Sequence, residues 1–144
     1  MIKIIRVGLL ALVLTGFMAG FMHNPVSAKE IAWQSFAEGM ARGKSENKKI
    51  FLHFYANWCG ACKIMENKTF RNAAVIAYIN ENFIPIKVNA DREPETSRMF
   101  RIRALPDNWF LAQDGKPIGH QPGFIPPEKL SGILKLLMGE ETGQ

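Results

Sequence analysis

Cys59 and Cys62 are the two cysteines of the chain, and they stand three positions apart in Trp58-Cys59-Gly60-Ala61-Cys62-Lys63. Immediately before them runs Ile50-Phe51-Leu52-His53-Phe54-Tyr55-Ala56, apolar and aromatic except for His53. Such a run, with no polar face, predicts a central strand buried on both sides. A helix is expected to start at the cysteines. Residues i and i+3 of a helix face the same side about 5–6 Å apart, within the reach of a disulfide. The first of the pair lies where unpaired N–H groups and the helix dipole favour negative charge, so its thiol is expected to titrate below the free value of about 8.5. Cys62, one turn further in, is expected to be more buried and placed to attack a mixed disulfide formed at Cys59. Gly60 and Ala61 are expected to leave the Cys59 sulfur open, with Trp58 as a flat apolar surface beside it.

Three other uses of a cysteine pair compete with exchange chemistry. A structural staple closing so short a loop is worth only about 2 kcal/mol on chain-entropy grounds, a weak way to hold a domain. Structural zinc needs four ligands, and beyond residue 28 only His53 and His120 could add to the two cysteines. Covalent haem attachment needs histidine directly after the second cysteine, where Lys63 stands.

The rest of the chain must position this pair. Trp33, Phe36, Ala37 and Met40 recur at i, i+3, i+4 and i+7, the stripe of an amphipathic helix. Gly43 to Lys49 is expected to be a loop or frayed turn. Asn72 is a candidate N-cap, so the helix after the cysteines is expected in two pieces, with Val75, Ile76 and Ile79 on the face of the second. Phe83 to Val88 reads as a strand, and Pro85 inside it points to a sheet edge. Pro94 opens a short helix containing Met99 and Phe100. Trp109 to Ala112, the turn Asp114-Gly115, and Pro117 to His120 read as a hairpin. Pro126-Pro127 starts a last helix with Leu130, Ile133, Leu134 and Leu137 on one face. The order α β α β α β β α implies an α/β mixed sheet with helices on both faces.

Of the 144 residues, 47% are apolar and 22% charged, which is globular chemistry. The start is different: Val7 to Met22 carries no charge, follows Lys3 and Arg6, and leads to Val26-Ser27-Ala28. This is the pattern of a signal peptide over 1–28, cut after Ala28; uncleaved, the same segment would serve as a membrane anchor. Either way the domain, residues 29–144, is expected outside the cytoplasm. Loss of Lys3 and Arg6 with the leader lowers the net charge from +5 to +3 over the remaining 116 residues. Arg98, Arg101 and Arg103 make a basic patch that reads as a solvated face, and nucleic-acid binding is not expected. Trp109 and Phe110 are expected in the core.

On these residues the chain resembles the thioredoxin superfamily, and most closely the secreted thioredoxin-like domains of the kind at the C-terminal end of the bacterial transmembrane thiol–disulfide interchange protein. The similarity runs from about Trp33 to Met138, with Phe51 to Phe70 (FLHFYANWCGACKIMENKTF) as its centre. The resemblance implies a thioredoxin fold. It implies that Cys59 is the nucleophile, Cys62 the resolving thiol, and Pro106 a cis-proline that presents the Leu105 backbone to a bound peptide and keeps metal from the thiols. Glu66 matches an acid near the cysteines in the subgroup; read alone, it is a solvated helix charge.

Two positions depart from the family pattern. Where relatives bury an Asp that accepts the proton of the resolving thiol, this chain has His53, either a satisfied neutral core histidine or the replacement base. After the proline stand Asp107-Asn108 where many relatives have Thr, so a carboxylate is expected near the substrate groove or capping a turn. The activity implied is periplasmic dithiol–disulfide exchange, with a tilt toward reduction of protein disulfides. The protein would work as a monomer, without a cofactor beyond the Cys59–Cys62 disulfide, and be recharged by a membrane thiol donor. A disulfide oxidase or isomerase, or a non-catalytic binding module, is the alternative.

Overall fold

Five successive residues without solvent exposure, Ile50 to Phe54, make β1 (Lys49–Tyr55) the centre of the sheet. In the computed structural model, which describes residues 29–140, the sheet has the order β2-β1-β3-β4. The other strands are β2 (Phe83–Asn89), β3 (Asp107–Leu111) and β4 (Pro117–Pro122). Strand β2 runs parallel to β1, β3 antiparallel to it, and β4 closes the hairpin. The helices are α1 (Phe36–Glu46), α2 (Gly60–Lys68), α3 (Ala73–Asn82), α4 (Pro94–Met99) and α5 (Pro127–Leu137). The leader and its cleavage point at Ala28 lie outside the described residues. Among those residues, no helix is long and apolar enough to cross a membrane.

Alternation along β1 sorts the core into two layers. Phe51 joins Met65, Phe70, Ile79, Phe83, Leu130 and others beneath α2, α3 and α5. Ile50, Leu52 and Phe54 join Ile84, Ile86, Val88 and Leu111 on the opposite face, covered by Phe36 and Met40 of α1 and by Phe100. His53 shares the odd-numbered face with Phe51 and Tyr55, and so lies in the layer beneath α2. Pro85 sits on β2, an edge strand as expected. Lys87 N–H points away from β1 to the Gln34 carbonyl at 3.2 Å. Pro85, two residues earlier on the same strand, would face the same way, so its missing N–H removes no bond to β1.

The first helix differs from its sequence reading. It starts at Phe36, not Trp33, because Ser35 caps it: the Glu38 N–H donates to Ser35 Oγ at 3.4 Å, while the Ser35 hydroxyl donates to the Glu38 carboxylate at 2.6 Å. Trp33 instead enters the layer beneath α2, with its ring 6.1 Å from that of Phe51 and 5.1 Å from that of Phe70. Ala37 is exposed, and the buried residues of α1 are Gly39 and Gly43. A methyl at Gly39 would overlap Ile86, and one at Gly43 would press on Ile50, so these glycines set how closely α1 approaches the sheet. The helix continues to Glu46, where a loop was expected, and stops at Asn47 in the left-handed region, φ 53°. The split at Asn72, the short helix at Pro94, the hairpin at Asp114-Gly115 and the final helix at Pro127 lie where the sequence places them.

Candidate functional site

The strand-to-helix junction carries the cysteines. Cys59 is the extended N-cap of α2, and its Sγ accepts the Cys62 backbone N–H at 3.2 Å. The two sulfurs are joined in a disulfide, with Cα atoms 5.3 Å apart. When that bond opens, the same N–H and the start of the helix favour negative charge on Cys59. The pair is more covered than the sequence suggests: Cys59 is 5% exposed and Cys62 2%. Ala56, Tyr55, Ala61 and Leu105 pack around both, so the expected contrast in burial is small. Nothing lies within 4 Å of a methyl built on Gly60, which leaves the approach over the N-terminus of α2 open. Trp58 is 70% exposed, and its indole N–H donates to Asp91 at 2.9 Å, which anchors one edge of the ring.

The peptide bond between Leu105 and Pro106 is cis, and Leu105 packs against the cysteine cluster. The Pro106 carbonyl accepts the Gly123 N–H at 2.7 Å, which ties this turn to the end of β4. Asp107 does not reach a solvent-facing groove. It is 5% exposed on β3, and one of its carboxylate oxygens lies 3.1 Å from His120 Nδ1. The reason is its register opposite Phe54 and Pro122, which puts it on the sheet face away from His53 and Asn108, the face it shares with His120 of β4. Arg98, Arg101 and Arg103 are exposed; Arg98 pairs with Glu95 on α4, and the other two follow that helix.

A polar row crosses the sheet on the face that α2 covers. His53 on β1 is in register with Lys87 on β2 and with Asn108 on β3. His53 is fully buried, its Nδ1 lies 2.8 Å from Asn108 Oδ1, and its Nε2 has no hydrogen-bond partner among the described residues. Its ring stacks on Tyr55 at 6.2 Å and meets Phe70 edge-on at 4.8 Å. Lys87 pairs with Glu66 of α2, while its ammonium lies 4.4 Å from the centre of the Tyr55 ring and 5.8 Å from that of Trp33. Glu66 and Cys62, one turn apart on α2, line a cavity of about 300 Å³ together with Tyr55, Ala56, Asn57 and Lys63.

Burial pushes the His53 pKa down from 6.5 to about 4; Asn108 opposes that shift, Lys87 adds to it, and Glu66 opposes it. The imidazole is therefore neutral near pH 7. Removing the ammonium in Lys87→Met should move the titration of His53 upward, and Glu66→Gln should move it downward. Following the His53 ring resonances against pH checks both signs, and a downward shift in Lys87→Met would contradict the placement of that charge.

The structure thus joins Cys62, Tyr55 and Glu66 around one cavity and links Glu66 through Lys87 to the row of His53 and Asn108, while Leu105, before the cis-proline Pro106, packs against the cysteine cluster. The sequence reading did not pick out Lys87, Asn108 or Tyr55. The signal for Lys87 was present: it is the single charged residue of FIPIKVN. Asn108 needed the antiparallel register. Among the described residues, no cluster of three or more His, Cys, Asp or Glu stands together as a metal site would require.

A disulfide at the first turn of a helix, fed by the central strand of a four-stranded mixed sheet and faced by a cis-proline turn, defines a thiol–disulfide exchange domain. Residues 36–137 match the family model described as a thioredoxin-like domain, and the chain belongs to that family within the thioredoxin superfamily. It is 40% identical over 91 residues to the thioredoxin of Mycoplasmoides gallisepticum, an alignment that covers 63% of this chain and 86% of that one. Among solved structures it is similar to a protein titled DsbH oxidoreductase, with a TM-score of 0.69, 17% identity, and coverage of 81% of this chain and 90% of that one. A thioredoxin from Thermus thermophilus matches with a TM-score of 0.69 and 18% identity over 76% of this chain and 88% of that one. These two likenesses are of fold. Some relatives are longer: the chain spans 16% of an uncharacterized protein of Caenorhabditis elegans and 58% of a chloroplastic thioredoxin-like protein of Nicotiana benthamiana.

Proposed function

We propose that this chain is an exported reductase of protein disulfides. The observation that carries the reading is the Cys59–Cys62 disulfide at the first turn of α2, with a backbone N–H aimed at the Cys59 sulfur. In the reduced protein, Cys59 attacks a substrate disulfide and forms a mixed disulfide. Cys62 then attacks the Cys59 sulfur, and the substrate leaves as two thiols. The exposed Trp58 and the backbone at Leu105-Pro106 form the surface on which a substrate strand would lie. Glu66, which shares a cavity with Cys62, and His53, in register with the Lys87 that pairs with Glu66, act on the resolving side. The leader over 1–28 supports a periplasmic site of action, as cleaved signal or as anchor. An oxidising compartment would keep the pair as a disulfide, so a membrane thiol donor would have to supply electrons; the remaining partners are oxidised proteins, met by a monomer.

Two measurements test this. With dithiothreitol as electron source, the protein should accelerate the precipitation of insulin caused by reduction of its disulfides. Equilibration with glutathione should place the Cys59–Cys62 couple toward the reductant end of the family range, near about −270 mV rather than about −120 mV. A value at the oxidant end would reassign the protein as an oxidase or isomerase. Failure to accelerate insulin reduction, with partners still retained on an affinity column, would make it a binding module.

A further inference from the structure

The amide of Asn108 is oriented by its neighbours. Its Nδ2 donates to the Gln121 carbonyl at 3.0 Å and to the Gly123 carbonyl at 3.1 Å. Turning the amide over would set Oδ1 against both carbonyl oxygens, so Oδ1 must be the atom that faces His53. That oxygen only accepts. The His53 Nδ1 at 2.8 Å from it therefore carries the ring proton. In the neutral ring the other nitrogen, Nε2, is then a bare acceptor, and it is the buried atom without a partner.

We propose that Asn108 is a positioning residue, which holds His53 in the Nδ1–H tautomer so that the bare Nε2 takes the proton of Cys62, directly or through one water, during resolution of the mixed disulfide. This rests on the exchange reading above and extends it to the residue that replaces the family's buried acid. The groups facing His53 are Tyr55 on its own strand, Lys87 on β2, Asn108 on β3, and Glu66 of α2, the helix that also carries Cys62. In the step itself the Cys62 S–H bond breaks and its proton passes to Nε2. The Cys62 sulfur bonds to the Cys59 sulfur, and the bond between Cys59 and the substrate sulfur breaks. The substrate leaves with that electron pair as a thiolate, the protein dithiol is oxidised by two electrons, and the substrate disulfide is reduced by two. The imidazolium then returns its proton to the released thiolate through solvent.

The test uses the full chain, in which Cys59 and Cys62 are the only thiols. Reduced protein mixed with 5,5′-dithiobis(2-nitrobenzoate) in stopped flow should release one thionitrobenzoate as Cys59 attacks and a second as Cys62 resolves the adduct. In Asn108→Leu the second phase should slow about a hundredfold, the lower end of general-base effects, with the first phase within about twofold of wild type. Because the leucine variant loses two bonds to backbone carbonyls, a reading on the unaltered protein stands beside it. Two-bond ¹⁵N–¹H correlations of His53 should show a protonated Nδ1 and a bare Nε2. An Nε2–H tautomer, or a second phase unchanged in Asn108→Leu, overturns the proposal while leaving exchange by the cysteines intact. Absence of both phases in wild type would instead defeat the exchange reading itself.

Discussion

Cys59→Ser should lose the catalysed part of insulin reduction, a fall of roughly a hundredfold or more to the rate of dithiothreitol alone. Cys62→Ser should fail at turnover for a different reason. The first attack depends on the thiolate of Cys59, the Cys62 backbone N–H at 3.2 Å and the start of α2, all of which survive replacement of the Cys62 side chain. The serine variant should therefore react once and stop as a stable mixed disulfide, visible as a protein–substrate adduct on a non-reducing gel and dissolved by excess thiol. Cys59→Ser should give no adduct under the same conditions. Equal trapping by both variants would mean that the two sulfurs are interchangeable, and the assignment of nucleophile and resolving thiol would fall. Their nearly equal burial makes this a real test, since exposure alone would not separate them.

The chemistry of the cysteine pair was legible because it is local. A buried run ending in Cys-x-x-Cys defines strand, junction and helix start within a dozen residues, and β1 and α2 lie where that pattern puts them. Pro85 at an edge, Asn72 as a cap and the Asp114-Gly115 turn were legible for the same reason. The start of α1 was misplaced because periodicity alone cannot distinguish Trp33 before the helix from Trp33 within it. Ser35 and Glu38, spaced as a capping box, held the deciding signal. The glycines of α1 hid its true buried face, since an apolar stripe is sought in side chains and here two contacts are made by their absence.

The polar row was illegible for a deeper reason. His53, Lys87 and Asn108 are far apart in sequence and meet only through one parallel and one antiparallel register. A one-residue slip of either neighbouring strand would turn its member of the row to the other face. The same register explains why Asp107, expected near the groove, turns instead to His120, while its neighbour Asn108 takes the place beneath the site.

The buried histidine should also make the fold acid-sensitive above the range in which ordinary carboxylates titrate. In the unfolded chain His53 takes up a proton below about pH 6.5, whereas in the folded protein burial holds its pKa near about 4. Between these values the unfolded state binds more protons than the native state, so stability falls as the pH falls. The contribution is fully present above about 6.5 and lost progressively down to about 4, in all about 3 kcal/mol, of which about 2 kcal/mol disappears between pH 7 and 5. Asn108 and Glu66 limit the loss by favouring the charged ring, and Lys87 enlarges it. Urea midpoints at pH 7 and pH 5 should show this decline in wild type and a much flatter profile in His53→Gln, whose amide cannot take up a proton in either state. Whether the variant is more or less stable at pH 7 does not enter, because the comparison is of slopes. Parallel slopes would mean that His53 titrates alike in both states, which its burial between Lys87 and Asn108 does not allow.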